Sequence, residues 1–189
     1  MPEAPIDLAT LARRLADALE AAGVPYAIGG ALAYGQWAVP RATADVDITL
    51  FLDEPEWPKA LDLLQREGVE GDGRVALTEL QDRGSCRLKG GAFYVDLFVP
   101  SIPFYSAARS RIVLRPLVGR PAGFLTAEDL SVFKMLFFRP KDLVDIRYML
   151  AVQGGAFDRF YVRHWLAEMV GESDERVLRW DELCREVPA

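Results

Sequence analysis

Cysteine and histidine are nearly missing from this chain. Cys86 and Cys184 are its only cysteines and His164 its only histidine, in 189 residues. Two distant thiols outside any Cys-x-x-Cys pattern exclude a disulfide framework and a thiolate zinc site. One imidazole excludes a zinc site built from histidines. Set in the aromatic helical stretch Tyr161-Val162-Arg163-His164-Trp165, it reads as a packing or surface residue. Two free thiols fit a reducing compartment, and a cytoplasmic location is expected. Positive charge is also in deficit: Lys plus Arg is 22, Asp plus Glu is 28, and the net charge is −6. An evenly acidic surface repels nucleic acid and anionic membrane, so binding either one needs a local basic patch. No stretch approaches the ~18 uninterrupted apolar residues of a membrane span. The first residues, Met1-Pro2-Glu3-Ala4-Pro5-Ile6-Asp7, are acidic and carry no signal-peptide apolar run. Also lacking are GxxxxGK[ST], GxSxG and HExxH motifs, internal repeats and a Ser/Gly-rich linker.

What is present is a globular mix, 51% hydrophobic and 26% charged. Leu8, Leu11, Leu15 and Leu19 recur at helical spacing before Gly23. Pro25–Ile28 predicts a short strand that turns at Gly29-Gly30 into a helix over 31–38. Val46–Leu52 predicts a strand. Trp57, Ala60, Leu61 and Leu64 make a second helical stripe, ended by Gly68. The segment 74–99 reads as antiparallel sheet, with a hairpin at Gly90-Gly91. Arg111–Val118 predicts one more strand. Thr126, three residues before Asp129, is a helix N-cap signal. That helix runs to about Phe138, Pro140 interrupts, and Leu143, Ile146 and Leu150 continue. Two further helices are expected over 157–170 and 173–185. The expected class is α/β (α+β): a mixed sheet with flanking helices over 1–120, and a C-terminal helical bundle over 121–189 packed on it.

The chemistry concentrates in Ile28-Gly29-Gly30 and in Arg41-Ala42-Thr43-Ala44-Asp45-Val46-Asp47. Glycines between a strand and a helix let a phosphate approach the unpaired N–H groups and positive dipole of the helix start. By itself the pair also fits an ordinary tight turn. Asp45 and Asp47, two apart on a strand, share one face, with Val46, Ile48 and Leu50 on the other. Two close carboxylates repel, and a hard divalent ion such as Mg²⁺ or Mn²⁺ relieves that cost; exposed acids at a strand edge are the plainer alternative. Asp96 lies in Phe93-Tyr94-Val95-Asp96-Leu97-Phe98-Val99, expected to be a strand buried on both faces. A carboxylate there needs a metal or a partner such as Arg87. If the two strands are neighbours, three carboxylates meet and can hold the metals of phosphoryl or nucleotidyl transfer.

This pattern resembles the minimal nucleotidyltransferases of the DNA polymerase β-like superfamily: a strand, Gly29-Gly30, a helix, Asp45-x-Asp47 and a later Asp96. Within it, Arg41-x-Thr43-x-Asp45-x-Asp47 is similar to the AbiEii-type toxins. So is Lys134 followed by Arg139-Pro140-Lys141-Asp142-Leu143-Val144-Asp145. The resemblance implies transfer of an NMP from an NTP, ATP among them, to an acceptor hydroxyl, with release of pyrophosphate. It implies that Asp45, Asp47 and Asp96 bind metal and are catalytic, with Asp96 polarising the hydroxyl. Gly29, Gly30, Arg41, Thr43 and Lys134 would contact substrate. It also implies an acceptor such as tRNA or an antitoxin-like partner protein, a small molecule being a further option. Gly30 stands where the family also uses Ser, which removes one hydroxyl contact to phosphate.

Other readings stay open at this level. Lys134 fits a solvated helix lysine, and Asp142 and Asp145 fit local pairs with Lys141 or Arg139. A catalytically degenerate member would bind nucleotide or a partner without turnover. Asp45-x-Asp47-x-Thr49 also matches haloacid-dehalogenase-like phosphatases, in which the first Asp is a nucleophile. That motif belongs at the C-terminal end of a buried strand, whereas here the apolar run follows it. Arg109, Arg111, Arg115 and Arg120 form a basic run that could, with Arg139, Lys141 and Arg147, meet triphosphate or RNA.

Overall fold

The computed structural model describes residues 6–188. The elements run α1 (Leu8–Ala21), β1 (Tyr26–Ile28), α2 (Gly30–Trp37), β2 (Asp45–Leu50), α3 (Trp57–Arg66), α4 (Gly73–Arg83), β3 (Ser85–Gly90) and β4 (Phe93–Phe98). Then follow α5 (Phe104–Ser110), β5 (Val113–Leu117), β6 (Arg120–Phe124), α6 (Ala127–Phe137), α7 (Pro140–Gln153), α8 (Arg159–Val170) and α9 (Glu175–Glu186). No helix among the described residues is long and apolar enough to cross a membrane. The chain forms two compact units. One takes in the described chain up to Leu32 together with Ala42–Phe124, the other Ala33–Arg41 and the chain from Leu125 onward.

The first unit is a mixed sheet in the order β3-β4-β2-β1-β6-β5. β2 runs parallel to β4 and antiparallel to β1, and β6 runs parallel to β1. Val46, Ile48, Leu50, Val95 and Leu97 are buried on one face. α1 covers that face: Asp7 accepts the Thr10 amide as its N-cap, and Leu11, Leu15 and Leu19 turn inward. Leu11 reaches Gly90, where a Cβ would come within 2.8 Å of it. On the opposite face of β4, Tyr94 is exposed and Asp96 half-buried, so this strand is not buried on both faces as expected.

Four segments differ from expectation, one of them residues 104–110, which form α5 where no element is expected. Residues 74–83 form α4 rather than sheet, because Asp72 accepts the amides of Arg74 and Val75 and Gly84, at φ +69°, closes the helix. The β3–β4 turn is Gly91-Ala92, with Gly90 still paired to Phe93. Residues 120–124 form β6, held between β1 and β5, so the sheet extends past residue 120.

The second unit is helical. Thr126 caps α6, accepting the Asp129 amide at 3.1 Å and donating to its carboxylate at 2.6 Å. Phe138 closes α6 in the left-handed region at φ +54°. Leu130, Met135, Ile146, Leu150, Val162, Leu166, Trp180 and Leu183 are buried, and the Trp180 ring lies 6.1 Å from that of Phe157. His164 is exposed beside Trp165.

Candidate functional site

β2 and β4 are neighbours in register, with Asp45 opposite Tyr94 and Asp47 opposite Asp96. Directly paired residues point to the same face, on strands about 4.8 Å apart. One face of the sheet therefore presents Asp45, Asp47 and Asp96, all half-buried. Thr43 sets the start of β2, its hydroxyl accepting the Asp45 amide at 3.2 Å.

Gly29 and Gly30 bind this row to α2. The Gly29 amide donates to the Asp47 carbonyl at 2.9 Å, so it is committed within the sheet and not offered to a phosphate. Gly30 has φ +53°, and a Cβ there would fall 1.7 Å from Asp47 Oδ2. The Asp47 carboxylate thus lies directly against the start of α2. The helix start favours negative charge there.

The third carboxylate has a partner. Arg87, opposite Asp96 on β3, donates from Nε to Oδ1 at 2.7 Å and from Nη2 to Oδ2 at 2.6 Å. Nη2 also stands 3.5 Å from Asp45 Oδ1. Among the described residues, no three Asp, Glu, His or Cys side chains are drawn together as a metal-holding group. The donor chemistry nevertheless fits a hard divalent ion. The donors are carboxylates only, two on β2 and one facing them on β4, and Asp47 is cradled where no Cβ fits. Asp45 and Asp47 would hold it, while both oxygens of Asp96 are taken by Arg87.

Arg41 and Lys134 are placed in the second unit, and both meet Asp145. Arg41 donates from Nε and Nη2 at 3.1 and 2.9 Å. Lys134 Nζ lies 2.6 Å from Asp145 and 3.2 Å from Asp142, whose carboxylate also accepts Arg139 Nε at 2.6 Å. Asp142 is 0% exposed and Lys134 4%. The lysine is therefore not a solvated helix residue but the centre of a buried ion-pair network. The arginines proposed as a basic patch are partly consumed too: Arg120 meets Asp17, and Arg147 meets Glu186.

Of the residues to which the sequence points, Asp45, Asp47 and Asp96 share one sheet face and Gly30 lies against Asp47. Arg87 is expected from the sequence only as a partner for Asp96. Its position opposite Asp96 across a hairpin, with strands 85–89 and 92–99, was the available signal.

No family model and no curated protein matches the sequence. Solved structures do. The antibiotic-resistance factor ANT(2'')-Ia in solution matches at 16% identity with a TM-score of 0.60, over 85% of this chain and 91% of that one. The same enzyme in complex with adenylyl-2''-tobramycin matches at 13% identity and TM-score 0.57, over 94% of this chain and 97% of that one. The lincosamide antibiotic adenylyltransferase LnuA, bound to lincomycin, matches at 15% identity and TM-score 0.50, over 76% of this chain and 96% of that one. At such identities the likeness concerns the fold, and the fold of this chain is that of the nucleotidyltransferases.

Proposed function

We propose that this protein transfers a nucleoside monophosphate, in the first instance adenylate from ATP, to a hydroxyl group and releases pyrophosphate. The observation that carries this reading is the registered pair Asp47 and Asp96, with Asp45 beside them, on the sheet face against Gly30. The first-turn amides of α2 receive phosphate oxygens. Asp45 and Asp47 hold the divalent ion, Mg²⁺ or Mn²⁺, which supplies charge stabilisation at the transferring phosphoryl group. Asp96 accepts the proton of the attacking hydroxyl as its oxygen bonds to the α-phosphorus and the bond to pyrophosphate breaks. Thr43 fixes the start of β2 and so the aim of Asp45. Arg41 and Lys134 act as structural cations on Asp145.

The acceptor we propose is a small hydroxylated molecule. ANT(2'')-Ia is seen with an adenylylated tobramycin and LnuA with lincomycin, which supports that class. The phosphatase alternative has less support, since Asp45 opens β2 rather than closing it. A degenerate, nucleotide-binding role draws on one observation, the Arg87 pair on Asp96.

The test is incubation with ATP labelled at the α or γ position, Mg²⁺, and tobramycin, lincomycin, tRNA or cell protein in parallel. The reading expects α-label on tobramycin or lincomycin, γ-label in pyrophosphate, and loss of both in Asp45→Asn and Asp47→Asn. Label on tRNA or protein would replace the acceptor class. Inorganic phosphate with a phosphorylated Asp45 would replace the reaction, and ATP binding without pyrophosphate would establish the degenerate role.

A further inference from the structure

Arg87 sits on β3, the edge strand next to β4. Its fork takes both oxygens of Asp96, and Nη2 stands 3.5 Å from Asp45 Oδ1. A planar guanidinium paired in this way fixes the carboxylate in orientation as well as charge. The Tyr94 ring supports the guanidinium, with its centroid 4.9 Å from Cζ. The arrangement is lopsided in exposure: 54% of the Arg87 side chain is open to solvent, against 16% of Asp96. The cation can therefore swing outward, while the carboxylate stays in place on its strand.

Two requirements meet at these oxygens. Without a cation, Asp45, Asp47 and Asp96 repel one another across adjacent strands. With a divalent ion, the same oxygens must turn to it. A bidentate guanidinium and a metal cannot both have Asp96. We propose that Arg87 is the resident counter-ion of this carboxylate face. It gathers Asp96 and Asp45 in the metal-free protein and leaves Asp96 when a divalent cation binds, so that it sets the concentration at which the cation is taken up. On this account Arg87 is a positioning residue, and Tyr94 is the platform that keeps it close after release. The inference rests on the metal-dependent reading of the triad given above.

The experiment uses the full chain and Mn²⁺ alone. Free Mn²⁺ is measured by electron paramagnetic resonance, and melting temperature is recorded with and without the ion. Arg87→Gln is expected to bind Mn²⁺ about fivefold more tightly, the upper end for a half-exposed ion pair. Its metal-free melting temperature should fall and its rise on adding Mn²⁺ should exceed that of the unaltered protein. Arg87→Lys keeps the charge but not the fork, and is expected to fall between the two. If Mn²⁺ binds in a manner that Asp47→Asn abolishes, yet Arg87→Gln leaves the affinity unchanged or weaker, the counter-ion role is overturned and the triad reading stands. If Asp47→Asn changes nothing, or no Mn²⁺ binds, both readings fall together.

Discussion

At Gly30 two constraints coincide. The backbone is left-handed at φ +53°, and the space a side chain would fill is taken by the Asp47 carboxylate. Alanine there costs about 1–2 kcal/mol in backbone strain alone, and it also displaces Asp47. Urea midpoints of Gly30→Ala, Asp47→Ala and the double variant separate the two effects. The double variant should be less destabilised than the sum, because removing the Asp47 carboxylate frees the space. Strict additivity would mean that the close approach carries no energy. Cys86, beside Arg87 on β3, gives a second check. Burial, then the charges of Glu79 and Asp96, push its thiol up to about 12. At pH 8 it should resist alkylation in the native protein and react on unfolding; rapid native labelling would contradict its burial. At this scale the sequence was informative about direction: period two put Asp45 and Asp47 on one face. It was silent on the contact between Gly30 and Asp47, since that depends on how β2 pairs with the strand leading into α2.

Between elements, α6 and α7 are joined by buried charge. Lys134 serves both Asp142 and Asp145, and Arg139 and Arg41 each take both oxygens of one of them, sharing one oxygen with Lys134. Lys134→Ala leaves the buried Asp142 and Asp145 one arginine each where each had two cations, so it should lose about 1.5–3 kcal/mol of stability, the scale of a charged hydrogen bond, read from denaturant unfolding. A loss below ~1 kcal/mol would return Lys134 to a surface role. Burial pushes the Asp145 carboxyl up, but hydrogen bonds and charges from Arg41 and Lys134 outweigh it and hold it below the ordinary carboxylate range. A carboxyl lowered on folding stabilises fully above its unfolded value, near pH 4, and the contribution disappears as pH falls through the folded value. The protein should therefore lose stability below about pH 4, and Asp145→Asn should lose less over that interval. Equal acid slopes would contradict this. The elements that eluded sequence reading did so for local reasons. α4 has a readable cap in Asp72 and stop in Gly84, yet Val75 and Leu77 alternate like a strand. β6 contains Pro121 and Gly123, which signal turns; the strand exists because β1 and β5 hold it from either side.

For the whole molecule, the mixed sheet, the helical second unit and the nucleotidyltransferase fold were legible in Gly29-Gly30, Asp45-x-Asp47 and Asp96 taken in order along the chain. The division of the chain was not. Ala33–Arg41 joins the later helices through contacts far apart in sequence, Arg41 with Asp145 and the Trp37 indole with the Leu125 carbonyl. The net charge of −6 makes a triphosphate an unfavourable guest unless cations come with it, so the proposed nucleotide binding requires a cation at the carboxylate face. The central claim is that Asp45, Asp47 and Asp96 form a cation-dependent nucleotide site. Calorimetric titration with a non-hydrolysable ATP analogue tests it most directly, with and without Mn²⁺, on the unaltered protein and Asp47→Asn. The account predicts saturable binding that requires Mn²⁺ and is weakened in Asp47→Asn by about 1.5–3 kcal/mol, the scale of a charged contact. Binding that is indifferent to Mn²⁺, or equal in the variant, would contradict it.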